Sequence, residues 1–204
     1  MRLWFFGDSY TYGHGLPDCA IYNSELDFYD AGLVPSKLGW VNIVATRTGL
    51  PHINMSLPGM SNLKIHWKMR NTDFGPDDIV ITQWSFPTRC VILDDTLDDI
   101  YAWPETERSK WFYSAHSPLD LERRSLMTVE HTELLMKTRG IKYAAFANRP
   151  FKANMHAYSE ILDYEDHFVV DKAVDNGHPG IESNRVWAEQ VLKLLKFKFG
   201  LDYE

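Results

Sequence analysis

Short unbroken apolar runs alternate along the chain with longer stretches whose apolar positions recur at helical spacing. Residues 2–6, His52 to Met55, Ile79 to Thr82, Ile141 to Phe146 and the brief Phe168-Val169-Val170 each read as strands. Ile79-Val80-Ile81-Thr82 is apolar on both faces, the mark of a central parallel strand. Between the strands, residues 38–49 set Leu38, Trp40, Val41, Ile43 and Val44 on one side and stop at Gly49. Further helices are predicted from a Ser61 or Asn62 cap to about Arg70, from about 119 to 138, and over 182–198. Two stretches lack a period. The segment from the first strand to about residue 35 reads as a polar and aromatic loop, and 90–117 as an aromatic-rich excursion over the sheet's edge. Strands separated by helices predict the α/β class: a three-layer α/β/α sandwich around a mostly parallel five-stranded sheet, flavodoxin-like. No repeat or low-complexity linker divides the chain, so residues 1–204 are expected to form one domain.

Composition narrows the partners. With 45% apolar and 24% charged residues the chain is globular in character. A formal charge of −7 argues against a phosphate-backbone binder, so no nucleic-acid partner is expected. No run approaches the ~18 apolar residues of a membrane span. The few apolar residues before Gly7 are too short for a signal-peptide core. The expectation is a soluble, leaderless chain, cytoplasmic or assembled into a larger particle, its oligomeric state open. Cys19 and Cys90 are too few for a disulfide framework, and the histidines and acids lack metal-ligand spacing. Neither metal nor cofactor is expected.

The chemistry lies at the two ends. Gly7-Asp8-Ser9 follows the first strand directly, placing a hydroxyl at the carboxyl end of a strand, where open α/β sheets carry their sites. Asp175-Asn176-Gly177-His178-Pro179 puts an acid and an imidazole on one turn, close enough for the carboxylate to fix the ring's tautomer. Carboxyl ends of parallel strands share one rim, so sequence distance does not separate Ser9 from His178. Taken separately, Asp8-Ser9 could cap a helix, and Asp175 with His178 could be a turn pair.

Together these segments resemble the SGNH/GDSL hydrolase superfamily. Gly7-Asp8-Ser9-x-Thr11-x-Gly13-x-Gly15-Leu16 is similar to its nucleophile block, Asn54-x-x-x-Pro58-Gly59-x-Ser61-Asn62 to its second block, and Asp175-x-x-His178-Pro179 to its last. The resemblance implies a serine esterase or carbohydrate O-deacetylase working through an acyl-enzyme on a small-molecule or glycan ester. It implies Ser9 as nucleophile, His178 as base and Asp175 as its orienter, with the Ser9 and Gly59 amides as oxyanion donors. The third block departs: where the family has Gly-x-Asn-Asp, this chain runs Gln83-Trp84-Ser85-Phe86-Pro87-Thr88-Arg89. Gln83 or Ser85 is left as the third donor. His14, Trp84 and Arg89 are candidates for substrate contact, with an ion pair to an acid near 94–99 as the alternative for Arg89. Trp103, Trp111, Phe112 and Tyr113 could face sugar rings or acyl chains, or cover the sheet edge. An altered third block also fits a fold that binds carbohydrate without cleaving it.

Overall fold

A computed structural model describes residues 1–25, 27–91, 99–100, 107–147 and 169–203. Four strands, β1 (Leu3–Phe6), β4 (His52–Asn54), β5 (Ile79–Trp84) and β8 (Lys142–Ala147), form one sheet in the order β4-β1-β5-β8. Every neighbouring pair is parallel, with Phe5 opposite Asn54 on one side and Ile81 on the other. All carboxyl ends therefore face the same rim.

The period-two alternation of side chains sorts the core into two layers. Leu3, Phe5, Ile79, Ile81 and Phe146 pack under α2 (Trp40–Thr48) and α6 (Ile181–Phe199), against Trp40, Val44, Trp187 and Leu192. Trp4, Phe6, Val80 and Ala145 pack under α3 (Asn62–Arg70) and α5 (Pro118–Thr138), against Ile65, Met69, Val129 and Met136. Each fully buried Phe or Leu among them contributes about 1.5–3 kcal/mol. Local chemistry sets the helix ends: Ser61 and Ser117 accept from Lys64 and Asp120 amides, and Gly49 closes α2 in the left-handed region. Among the described residues no helix is long and apolar enough to cross a membrane.

Four expectations need correction. The sheet has four strands among the described residues rather than five. Phe168 lies outside them, and Val169 and Val170 are not strand. The Val170 and Asp171 amides donate to Ser183 Oγ at 3.0 and 3.1 Å, so a helix terminus takes the bonds a sheet neighbour would have taken. The loop to residue 35 contains a single helical turn, α1 (Ser9–Tyr12), and an antiparallel pair, β2 (Ala20–Asn23) with β3 (Phe28–Ala31). Tyr22 and Tyr29 stand opposite one another with ring centroids 5.1 Å apart, a cross-strand pairing that no local period announces. The 90–117 excursion is also ordered in part: β6 (Cys90–Val91) pairs with β7 (Asp99–Ile100), and Glu107–Ala115 forms α4. Its consecutive aromatics Trp111-Phe112-Tyr113 hide the helical period. Finally, Trp84 is wholly buried in the α3/α5 core layer, which removes it from the candidates for substrate contact.

Candidate active site at the carboxyl rim

Gly7 lets the chain leave β1 sharply, because Thr11 of α1 folds back over it. A Cβ at Gly7 would sit 2.0 Å from Thr11 Oγ1. That hydroxyl donates to Gln83 Oε1, tying the helical turn to the end of β5. Asp8 caps α1 by accepting from the Tyr10 amide at 3.0 Å, so its cap goes to Tyr10 and not to Ser9. The second block is joined to the same turn: Asn54 Nδ2 donates to the Thr11 carbonyl at 3.0 Å, and Asn54 Oδ1 accepts from the Ser56 amide at 3.1 Å. Gly59 follows on that loop with φ of 78°, in the left-handed region.

Asp8 itself is completely buried, and its charge is answered from the third block. Ser85 Oγ donates to Asp8 Oδ2 at 2.7 Å, and Arg89 Nη1 does so at 2.9 Å while also donating to Ser85 Oγ at 3.0 Å. The Arg89 guanidinium lies over the Phe86 ring, 4.6 Å from its centroid. This changes two expectations. Arg89 pairs with Asp8, and the acids at 94, 95 and 98 lie outside the described residues. The one proton of Ser85 goes to Asp8, which leaves its hydroxyl no proton for an oxyanion, and the buried Gln83 accepts from Thr11 through Oε1. Asn62 fixes this segment: its Oδ1 accepts from the Ser85 amide at 2.7 Å, and its Nδ2 donates to the Ser85 carbonyl at 3.1 Å.

The histidine sits on a loop closed by its own bonds. Asp171 accepts from the Ser183 and Glu182 amides at the start of α6, and the Gly180 amide returns to the Asp171 carbonyl at 3.0 Å. Lys172 bridges Pro179, and Asn176 takes a left-handed φ of 55° at the tip. Within the turn, Asp175 Oδ1 accepts from the Gly177 and His178 amides, each at 3.0 Å. Asp175 Oδ2 lies 2.5 Å from His178 Nδ1. The carboxylate therefore holds the proton on Nδ1 and leaves Nε2 as the basic nitrogen. Burial raises the Asp175 pKa, but the His178 amide, the imidazole and the Gly177 amide outweigh it and hold the group below its ordinary value. Burial lowers the pKa of His178, as does nearby His14; Asp175 and Asp8 oppose this without cancelling it.

The two ends of the chain meet here. The Val174 amide donates to the Gly15 carbonyl at 3.0 Å, and a Cβ on Gly15, with φ of 84°, would lie 2.7 Å from the Asp175 carboxylate. Tyr10, next to Ser9, meets the His178 ring edge-on at a centroid distance of 5.5 Å. His14 lies nearly face to face with His178 at 4.5 Å and donates from Nε2 to the Tyr29 carbonyl at 3.0 Å. Ser9, Asp175 and His178 thus share one rim, with Ser9 buried; among the described residues no hydrogen bond joins Ser9 Oγ to His178. One grouping was not visible in sequence spacing: His14, Asp175 and His178 have potential ligand atoms within 4.8 Å of one another. Two imidazoles sharing an ion at about 2.0–2.1 Å each aim a nitrogen at it. These rings, tilted by 31°, lie face to face. Asp8 and Gly15 were also missed as structural partners of Arg89 and Asp175, since neither pairing has a local signal.

No protein-family model matches the chain, and no curated protein matches it in sequence. Solved structures do match. An acetyl xylan esterase from the rumen bacterium Butyrivibrio proteoclasticus superposes with a TM-score of 0.62 at 10% identity, covering 98% of this chain and 65% of that one. A carbohydrate esterase whose active site displays divergent catalytic and non-catalytic binding functions gives 0.60 at 10% identity, covering 98% and 69%. A lipolytic protein of the G-D-S-L family from Desulfitobacterium hafniense DCB-2 gives 0.50 at 10% identity, covering 95% and 99%. The chain spans about two thirds of both carbohydrate esterases and nearly all of the lipolytic protein. Its fold is the one shared by these esterases and the G-D-S-L family protein.

Proposed function

We propose that the protein is a serine ester hydrolase that works through an acyl-enzyme on Ser9. The observation that carries this reading is the docking of the Asp175–His178 loop onto the loop that follows Ser9, through the Val174 to Gly15 bond and the Tyr10 contact. In the reaction Ser9 Oγ attacks the acyl carbon as its proton passes to His178 Nε2. The ester C–O bond then breaks, and the same proton leaves on the departing alkoxide. Water, deprotonated by His178, cleaves the acyl-enzyme and restores the serine. Asp175 keeps Nδ1–H in place and stabilises the imidazolium. The Ser9 and Gly59 amides hold the oxyanion; a missing third donor costs about 10²–10³ in turnover. Carbohydrate esterases and a lipolytic protein among the similar structures support an oxygen ester as substrate.

One observation favours a second reading. Ser85 spends its proton on Asp8, and one similar carbohydrate esterase combines catalytic with non-catalytic binding, so a carbohydrate-binding fold with weakened chemistry is the alternative. Fluorophosphonate labelling of wild type and Ser9→Ala separates the two. Hydrolysis predicts a covalent adduct on Ser9 and p-nitrophenyl acetate turnover, both lost in Ser9→Ala. Unlabelled, inactive wild type that binds glycan equally well with or without the Ser9 hydroxyl would establish the alternative.

A further inference from the structure

Beside the nucleophile's turn lies a cavity of about 440 Å³ between the start of α3, the end of β5's loop, α4 and α5. Its walls are mainly apolar, with Leu63, Cys90, Trp111, Phe112 and Leu121 facing it. Two of its wall residues bond to groups of the site. Arg89 lines it while holding Asp8, the residue before Ser9, and Asn62 lines it while fixing the backbone of Ser85. A volume in the range of small-molecule pockets and a largely hydrocarbon wall are what a ligand site requires.

What the cavity accepts follows from its mainly apolar walls, several of whose polar atoms are already bonded inside the protein. Arg124 pairs with Asp120 at 2.8 Å, and Thr128 Oγ1 donates to the Arg124 carbonyl at 3.0 Å. Asn62 Nδ2 donates to Ser125 Oγ at 2.6 Å. His116 Nδ1 donates to the Phe112 carbonyl at 2.9 Å, and its ring stacks on Phe112 at 4.3 Å. Burial pushes the Cys90 thiol up to about 11, so it meets the cavity as a neutral, weakly polar group. A sugar ring brings many hydroxyls that need new partners, and these walls supply few; a hydrocarbon chain needs none.

We infer that this cavity holds the acyl chain of the substrate, which makes the protein an esterase for acyl groups longer than acetyl. The assignment rests on the hydrolase reading above and deepens it. The acyl carbon bonds to Ser9 Oγ as before, and the chain beyond it runs past Arg89 into the space between Leu63, Phe112 and Leu121.

The test is a p-nitrophenyl ester series from acetate to decanoate, with fluorophosphonate labelling of Ser9 run in parallel. Each methylene that leaves water should raise kcat/KM about fourfold until the cavity is full. Thr128→Phe, which projects a ring into the space, should collapse the hexanoate-to-acetate ratio by at least tenfold; Trp111→Ala, which opens a wall, should lower it less. The ratio is read because it is independent of how much of each variant is active. Ser9 labelling with acetate turnover but no gain for longer chains would overturn the acyl cavity alone, and so would a ratio unmoved by Thr128→Phe. No labelling and no turnover of any ester would overturn the hydrolase reading and this inference with it.

Discussion

The Ser9 turn and the His178 loop meet at one rim, yet different forces hold them there. The turn grows directly from a central strand, and its fixed point is a fully buried carboxylate, Asp8, answered by Ser85 and Arg89 from the neighbouring strand's loop. The loop is mostly self-contained: Asp171 accepts amides at one end, Asp175 accepts them at the other, and a left-handed Asn176 turns the tip. Its tie to the rest of the site runs chiefly through Gly15 and two ring contacts. Disturbing the first should cost folding stability; disturbing the second should cost activity.

The sharpest way to break that contrast is Arg89→Met. With the guanidinium gone, Asp8 keeps its charge in a buried place with one fewer donor, and stability should fall by about 3–5 kcal/mol in urea denaturation. Adding Asp8→Asn to Arg89→Met should recover part of the loss, since no buried charge is then left unanswered. A loss below about 1 kcal/mol for the single variant would show that charge does not anchor the turn. Gly15→Ala should behave in the opposite sense. A left-handed alanine costs about 1–2 kcal/mol of stability, but its methyl presses on Asp175. Displacing His178 by about 1 Å should lower ester kcat/KM by about 10²-fold. Equal proportional losses in stability and activity would erase the distinction.

The smallest effect sharpens the picture on the histidine side alone. In the proposed reaction His178 is a base only when neutral, and its pKa is lowered by burial and by His14, so wild-type kcat/KM should persist in acid below the usual imidazole value of about 6.5. His14→Asn removes a neighbour that lowers the His178 pKa and admits water to the ring, so the acid limb of the profile should move up. Asp175→Asn removes the opposing influence and should move that limb down while reducing the rate. A limb unchanged in His14→Asn would mean that the stacked ring does not tune the base.

What could be read from the sequence was what local pattern encodes. Leu3–Phe6, Ile79–Trp84 and helices α2, α3, α5 and α6 follow from short-range spacing, caps and stops, and all lie within a few residues of expectation. The family-like blocks were legible because each is a short local motif, with Gly7, Gly15 and Gly59 where a close approach or a left-handed backbone admits little else. The hairpin of β2 and β3 depended on the pairing of Tyr22 with Tyr29, and of the expected last strand Phe168 lies outside the described residues while the Val170 amide goes to Ser183. The partner of Arg89 lay 81 residues away, beyond any local signal. Trp84 misled for a related reason: it adjoins the third block in sequence, but β5 turns it into the core.

The bond from the Val174 amide to the Gly15 carbonyl has a consequence for biosynthesis. A nascent polypeptide emerging from the ribosome would carry Ser9 long before the segment that bears His178. In the proposed reaction competence would therefore arrive only once the His178 loop and α6 have docked, and a product cut short before His178 would be inert. Turnover by the proposed reaction would then report on closure of that contact, with no species lacking it releasing acyl groups.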